Sequence, residues 1–238
     1  EPKCFDCHAI NCMGVREDSS AKGHVMTADW NMICSIVTAI AAIVALGISV
    51  VQMWVSNRQL LLDRRLRLWI KARGLMELCA NNRSSLKERK NGPEFANDLE
   101  FQWMTNNSWL YDIGPSVGHV LEQDWQPKLL TKLEELKEMT FEAKLVFRGH
   151  PAEVLSVFIE NYASLLMSMY RYQITLKNLY ENNGQFHHDL DKTISAVGEE
   201  GQRFKLYEAK DRLLDSFDEL TPRTVEKIVS QCRLAPLS

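Results

Sequence analysis

The sequence predicts an all-α protein in which one N-terminal transmembrane helix precedes a cytoplasmic helical bundle with long antiparallel helices. Three observations carry that reading. None of the 28 residues from Trp30 to Asn57 is charged, in a 238-residue chain of which 25% is charged. Beyond that segment apolar residues return at threes and fours and never settle into a period of two, which marks helices rather than strands. Gly, Pro and Asn clusters then cut the pattern into pieces of helical length. The composition, 45% hydrophobic with 28 Lys and Arg against 31 Asp and Glu, excludes a collagen, a disulfide-dense miniprotein and a wholly disordered chain.

Four segments are expected: a short extracytoplasmic tail over residues 1–29, the transmembrane helix over 30–57, a basic juxtamembrane helix and linker over 58–93, and the bundle over 94–238. From Met32 to Val55 the chain reads MICSIVTAIAAIVALGISVVQMWV. At about 1.5 Å per residue this makes roughly 36 Å of helix, enough to cross a hydrocarbon core of about 30 Å. Trp30 and Trp54 bracket it at the levels where indoles prefer the membrane interface. Residues 1–29 carry a net charge of −2, whereas residues 58–75 hold Arg58, Arg64, Arg65, Arg67, Lys71 and Arg73 against Asp63 alone. The basic flank stays inside, so the N-terminus is expected outside and the rest in the cytoplasm, as in a bacterial inner membrane. Those six cations are also expected to meet anionic headgroups at the membrane surface. Residues 76–238, with 19 basic and 25 acidic groups, disfavour nucleic acid as a partner. Ala41, Ala45 and Ser49 recur every four residues and offer a helix-packing face for a homodimer within the membrane.

The span reads on through Leu62, Leu66, Trp69 and Met76 to about Ala80, and Asn91, Gly92 and Pro93 break the chain after a polar stretch. Phe95, Leu99, Trp103, Asn106, Leu110 and Ile113 form the next stripe, stopped by Gly114 and Pro115, with a short helix expected through Val117 and Leu121. Pro127 suits a first helical turn, and Leu129, Leu133, Leu136, Thr140, Ala143 and Phe147 trace one face behind it. After Gly149, His150 and Pro151 a long helix runs from Leu155 and Phe158 to Leu176 and Tyr180, closed by Asn182, Asn183 and Gly184. These two are expected to pack as an antiparallel hairpin. Leu206, Leu213, Phe217 and Leu220 mark a further helix. Thr221 caps the last one, with Pro222 at its first position and Val225, Ile228, Val229 and Cys232 as its apolar face.

Two clusters invite chemistry. Cys4, Cys7 and His8 spell C-x-x-C-H, the attachment pattern of c-type haem, in which two thiols bond the porphyrin and the His ligates iron. With Cys12 the same groups suit zinc, and disulfide pairing is a third option. Met26, directly before Thr27, Ala28, Asp29 and Trp30, reads as a start, so residues 1–25 are expected to be translated upstream sequence or a fragment end. The second cluster is His187, His188, Asp189 and Asp191. The pair His188 and Asp189 in an all-α chain resembles the HD metal-dependent phosphohydrolases, which implies a metal at these two residues, with His150 and Asp211 or Asp215 as further ligands. Gln185 and Phe186 before the pair and Leu190 and Lys192 after it depart from that family's apolar run and following Gly. A solvated loop beyond Asn182, Asn183 and Gly184 accounts for the same residues without chemistry.

Asn106, Asn107 and Ser108 beside Trp103 and Trp109 form a polar-aromatic patch, and Cys79 and Cys232 are expected to pack as small hydrophobes. Glu134, Glu135, Lys137 and Glu138 with Lys132 read as a solvated face with local ion pairs. The function expected from all this is that of a membrane-anchored helical bundle acting on a protein partner as adaptor, sensor or tethered effector. The haem tail and the metal site are the alternatives of another class.

Overall fold

A single helix, α1, runs from Gly23 to Asn81. The computed structural model describes residues 23–94, 97–182 and 189–233. The chain divides into two units, Glu1–Ser56 and Asn57–Ser238. In the first, every side chain from Met32 to Val55 is exposed, including Ile43 at 69% and Leu46 at 67%. Among the described residues none covers this apolar stretch, and it is long and apolar enough to cross a membrane. The hydroxyls of Thr38 and Ser49 donate to the carbonyls of Cys34 and Ala45 at 2.8 and 2.9 Å. These two hydroxyls are thus satisfied within the helix itself.

Every regular element among the second unit's described residues is a helix: the last part of α1, then α2 (Arg83–Lys87), α3 (Asn97–Met104), a 3-10 helix (Tyr111–Val117), α4 (Gln126–Val146), α5 (His150–Asn182), α6 (Leu190–Val197), α7 (Glu199–Glu219) and α8 (Pro222–Gln231). Its core is organised on α5, which packs against α3, α4, α6, α7 and α8. Phe158, Tyr162, Leu165, Leu166, Met169 and Tyr172 of α5 are all fully buried. At about 1.5 Å per residue its 33 residues form a spine of roughly 50 Å. Tyr162 donates its hydroxyl to the Met104 carbonyl at 2.5 Å, so its one polar atom is paired at the end of α3. Leu68, Ala72, Leu75 and Cys79 bring one face of α1 into the same core. The compact unit therefore begins at Asn57, and the basic stretch of α1 that follows the apolar one is packed within it.

Local chemistry sets the element ends. Pro127 stands in the first turn of α4. Thr221 accepts a hydrogen bond from the Thr224 amide at 3.3 Å and caps α8. Gly198, at φ +68°, joins α6 to α7 through a left-handed turn that a side chain would strain.

Three expectations are corrected. The stripe from Phe95 to Ile113 is not one helix: α3 stops at Met104, because the Asn107 side chain accepts from the Trp109 and Leu110 amides at 3.0 and 2.8 Å and holds a turn there. Within α3 the buried face is Glu100, Phe101 and Met104, while Leu99 and Trp103 are exposed. Gly114 and Pro115 lie inside the 3-10 helix rather than stopping a helix before it, and no further helix runs through Val117 and Leu121. Tyr180, expected on the core stripe of α5, is 86% exposed. Phe95 lies outside the described residues.

Candidate functional site

The six cations between Arg58 and Arg73 divide by role. Arg65 turns inward: its Nε donates to the Val146 carbonyl at 2.5 Å and its Nη1 to the Gln231 carbonyl at 3.0 Å, tying α1 to the ends of α4 and α8. A guanidinium there meets the negative ends of two helix dipoles. Arg67 pairs with Asp63, and Arg73 with Glu77, each one turn away. Lys71 lies 4.8 Å from the Trp109 ring centroid. Arg64 is exposed, and Arg58 is half-buried. Replacing Arg65 with alanine is expected to lower stability by about 1–3 kcal/mol, since hydrogen bonds from a charged group are lost. The same change at Arg67 is expected to leave the unfolding temperature nearly unchanged, because its pair is solvated. Thermal unfolding of the two variants in detergent reads the difference.

The other anticipated residues are placed as follows. Trp30 and Trp54 are exposed at 66% and 54%, and Ala41, Ala45 and Ser49 are exposed between them. Cys4, Cys7, His8, Cys12, His187 and His188 lie outside the described residues. Asp189 caps α6: its carboxylate accepts from the Lys192 amide at 3.2 Å and pairs with the Lys192 ammonium at 2.9 Å, which hold it below the usual carboxylate range. Asp211 pairs with Arg89, and His150 stands 3.9 Å from Glu153. Asp189, Asp211 and His150 are thus engaged with separate neighbours. Among the described residues no group of three or more His, Cys, Asp or Glu side chains is placed to hold a metal ion. Cys79 is buried, and burial pushes its thiol up to about 12, so it packs as a neutral group.

The most highly charged buried cluster was not anticipated. Lys210 of α7 is fully buried, with its Nζ 3.2 Å from both Glu94 oxygens and 2.8 Å from Glu100. Ser85 donates to Glu100 at 3.2 Å. The Glu94 amide donates to the Tyr172 hydroxyl at 2.7 Å, and that hydroxyl donates to Glu199 at 2.5 Å. Glu199 is itself fully buried; Arg203 lies 3.5 Å from one oxygen, and the other oxygen has no hydrogen-bond partner. Burial and the Glu199 carboxylate hold the Tyr172 hydroxyl far above its usual range, so it remains a donor. Burial raises Glu100 as well, against the pull of Lys210.

The cluster fastens the segment between α2 and α3 onto α7. Arg89 pairs with Asp211, and the Tyr207 hydroxyl accepts from the Lys90 amide at 3.0 Å. One signal for it was present in the sequence. Lys210 occupies a core position in the stripe Leu206, Lys210, Leu213 and Phe217, spaced four, three and four. A lysine there requires a buried counter-charge.

Fold and cluster together define an all-α chain with one helix long and apolar enough to cross a membrane and a helical bundle bound by a buried ion network. Comparison with protein-family models, with curated proteins and with solved structures found no match.

Proposed function

We propose that the chain is a single-pass membrane protein of bacterial inner-membrane type whose cytoplasmic bundle works by binding another protein. The observation that carries the reading is the change of environment along α1. Its apolar stretch from Met32 to Val55 is bare on every side, whereas Leu68, Ala72, Leu75 and Cys79 of the same helix lie in the core. A bilayer covers such a bare apolar helix, and the +5 flank just after it favours the cytoplasm for the bundle. Large apolar groups displayed on the bundle, among them Phe141 at 66% and Leu145 at 82% exposure one turn apart on α4, favour a binding role.

A reporter active only outside the cytoplasm is expected to be silent when fused after Ser238 and active when fused ahead of Trp30. Activity of the Ser238 fusion overturns the orientation. Cross-linking in intact membranes is expected to give a defined species heavier than the chain, hetero- or homomeric. A chain that stays monomeric overturns the interaction reading.

A further inference from the structure

We propose that the groove between α4 and α7, floored by α5, docks an acidic amphipathic helix of about three turns from a partner protein. This deepens the protein-binding reading above and rests on it. The groove has a volume of about 540 Å³. Its apolar surface comes from Leu133 and Phe141 of α4 and from Ala163 and Met167 of α5. Lys137, Lys144, Arg171 and Arg212 line it with one carboxylate, Glu160, for a local charge of +3. All four cations are exposed, and none forms an ion pair with another described residue. This local excess stands against a net charge of −6 over residues 76–238.

The arrangement of the cations selects the occupant. The connection from α4 to α5 is only Phe147, Arg148 and Gly149, and the two helices pack along each other, so they run antiparallel. Lys137 therefore lies toward Arg171, and Lys144 toward Glu160. The Asn161 side-chain amide donates to the Arg212 carbonyl at 3.1 Å and holds the Arg212 backbone beside Glu160, toward that second end. Positive charge thus stands at both ends of an apolar strip, with Lys137 and Lys144 two helical turns or about 10 Å apart. A single phosphate reaches one end only. A helix with carboxylates at i and i+7 and an apolar stripe between them reaches both ends while covering Phe141 and Met167.

The test uses the full chain in phosphatidylcholine nanodiscs and a fluorescent peptide of about four turns, with a leucine stripe and glutamates at i and i+7. Saturable binding is expected, weakened about tenfold or more by Lys137→Glu with Lys144→Glu and by Phe141→Ser. Lys177→Glu with Lys227→Glu, outside the groove, is expected to leave binding unchanged, whereas replacing the peptide's glutamates by lysines is expected to abolish it. Because the groove positions altered are exposed, unfolding temperatures of all variants should match wild type; a groove variant that unfolds early is replaced by Arg171→Glu, expected to weaken binding equally. Equal binding by wild type and the groove variants overturns the proposal. So does groove-dependent binding of phosphatidylglycerol vesicles with none of the peptide. If the peptide fails while cross-linking still yields a heavier complex, the groove proposal falls and the interaction reading stands.

Discussion

Replacing Lys210 with methionine is expected to lower the stability of the bundle by about 3–5 kcal/mol at neutral pH. Methionine fills a similar volume, so the loss is electrostatic rather than a cavity. Without the ammonium, Glu94 and Glu100 face each other in a site where they are 4% and 5% exposed. A buried carboxylate without a counter-charge takes up a proton or destabilises the fold. The deficit should therefore shrink as pH falls and Glu100, already raised by burial, becomes neutral. Restoring neutrality by Glu94→Gln and Glu100→Gln in the same chain should recover most of the loss, because uncharged partners of the same shape tolerate burial. Thermal unfolding against pH reads all of these. A Lys210→Met chain as stable as wild type at neutral pH overturns the account of the network.

Glu100→Gln alone has a different signature. Burial raises the folded-state pKa of Glu100 above its unfolded value. The folded chain then holds that proton more tightly, so this group's contribution is full below the unfolded pKa and is lost as pH rises through the folded one. The amide removes that loss and keeps one oxygen as an acceptor for Lys210, while its NH2 group can donate to the Ser85 hydroxyl oxygen. Stability at neutral pH should fall by no more than about 1 kcal/mol, and the decline above the ordinary glutamate range should flatten.

The contrast between these residues and the helix stripes shows what a sequence makes legible. The apolar faces of α4, α5, α7 and α8 could be read because each repeats over two or more turns and is punctuated by Pro127, Gly149, Pro151 or Thr221. α6 has no stripe legible in the sequence, since eight residues give too short a period to register, and Asp191, expected on a solvated loop, lies in its first turn. The α3 stripe does not hold because Asn107, a single polar side chain, redirects the backbone into a turn after Met104, and the short helix before it buries Glu100 and Phe101 instead. Glu94, Glu100 and Glu199 come from three separate segments, and only the tertiary fold brings them to Lys210 and Tyr172. Arg65 hid among six cations for the same reason: its partners are carbonyls 81 and 166 residues away.

Placing arginines at both Ala42 and Leu46 is expected to release the chain from the membrane, on the reading proposed for α1. The two positions are one turn apart near the middle of Met32–Val55, and both are exposed. Each arginine at the centre of a span costs about 2.5–3.5 kcal/mol of insertion free energy, and the leucine's own favourable contribution is lost as well. Together this is enough to shift a single span from inserted to excluded by several orders of magnitude. Depth distinguishes that mechanism from a general effect of charge. Arginines at Ser56 and Asn57, beside the existing basic flank, can extend to the headgroups and should leave the chain membrane-bound. Alkaline extraction of membranes separates the outcomes: the central pair is expected in the soluble or aggregated fraction, with wild type and the boundary pair in the pellet. If both pairs remain in the pellet with wild type, the apolar stretch is not a span. If both pairs leave it, the loss follows charge rather than depth, and the same conclusion holds.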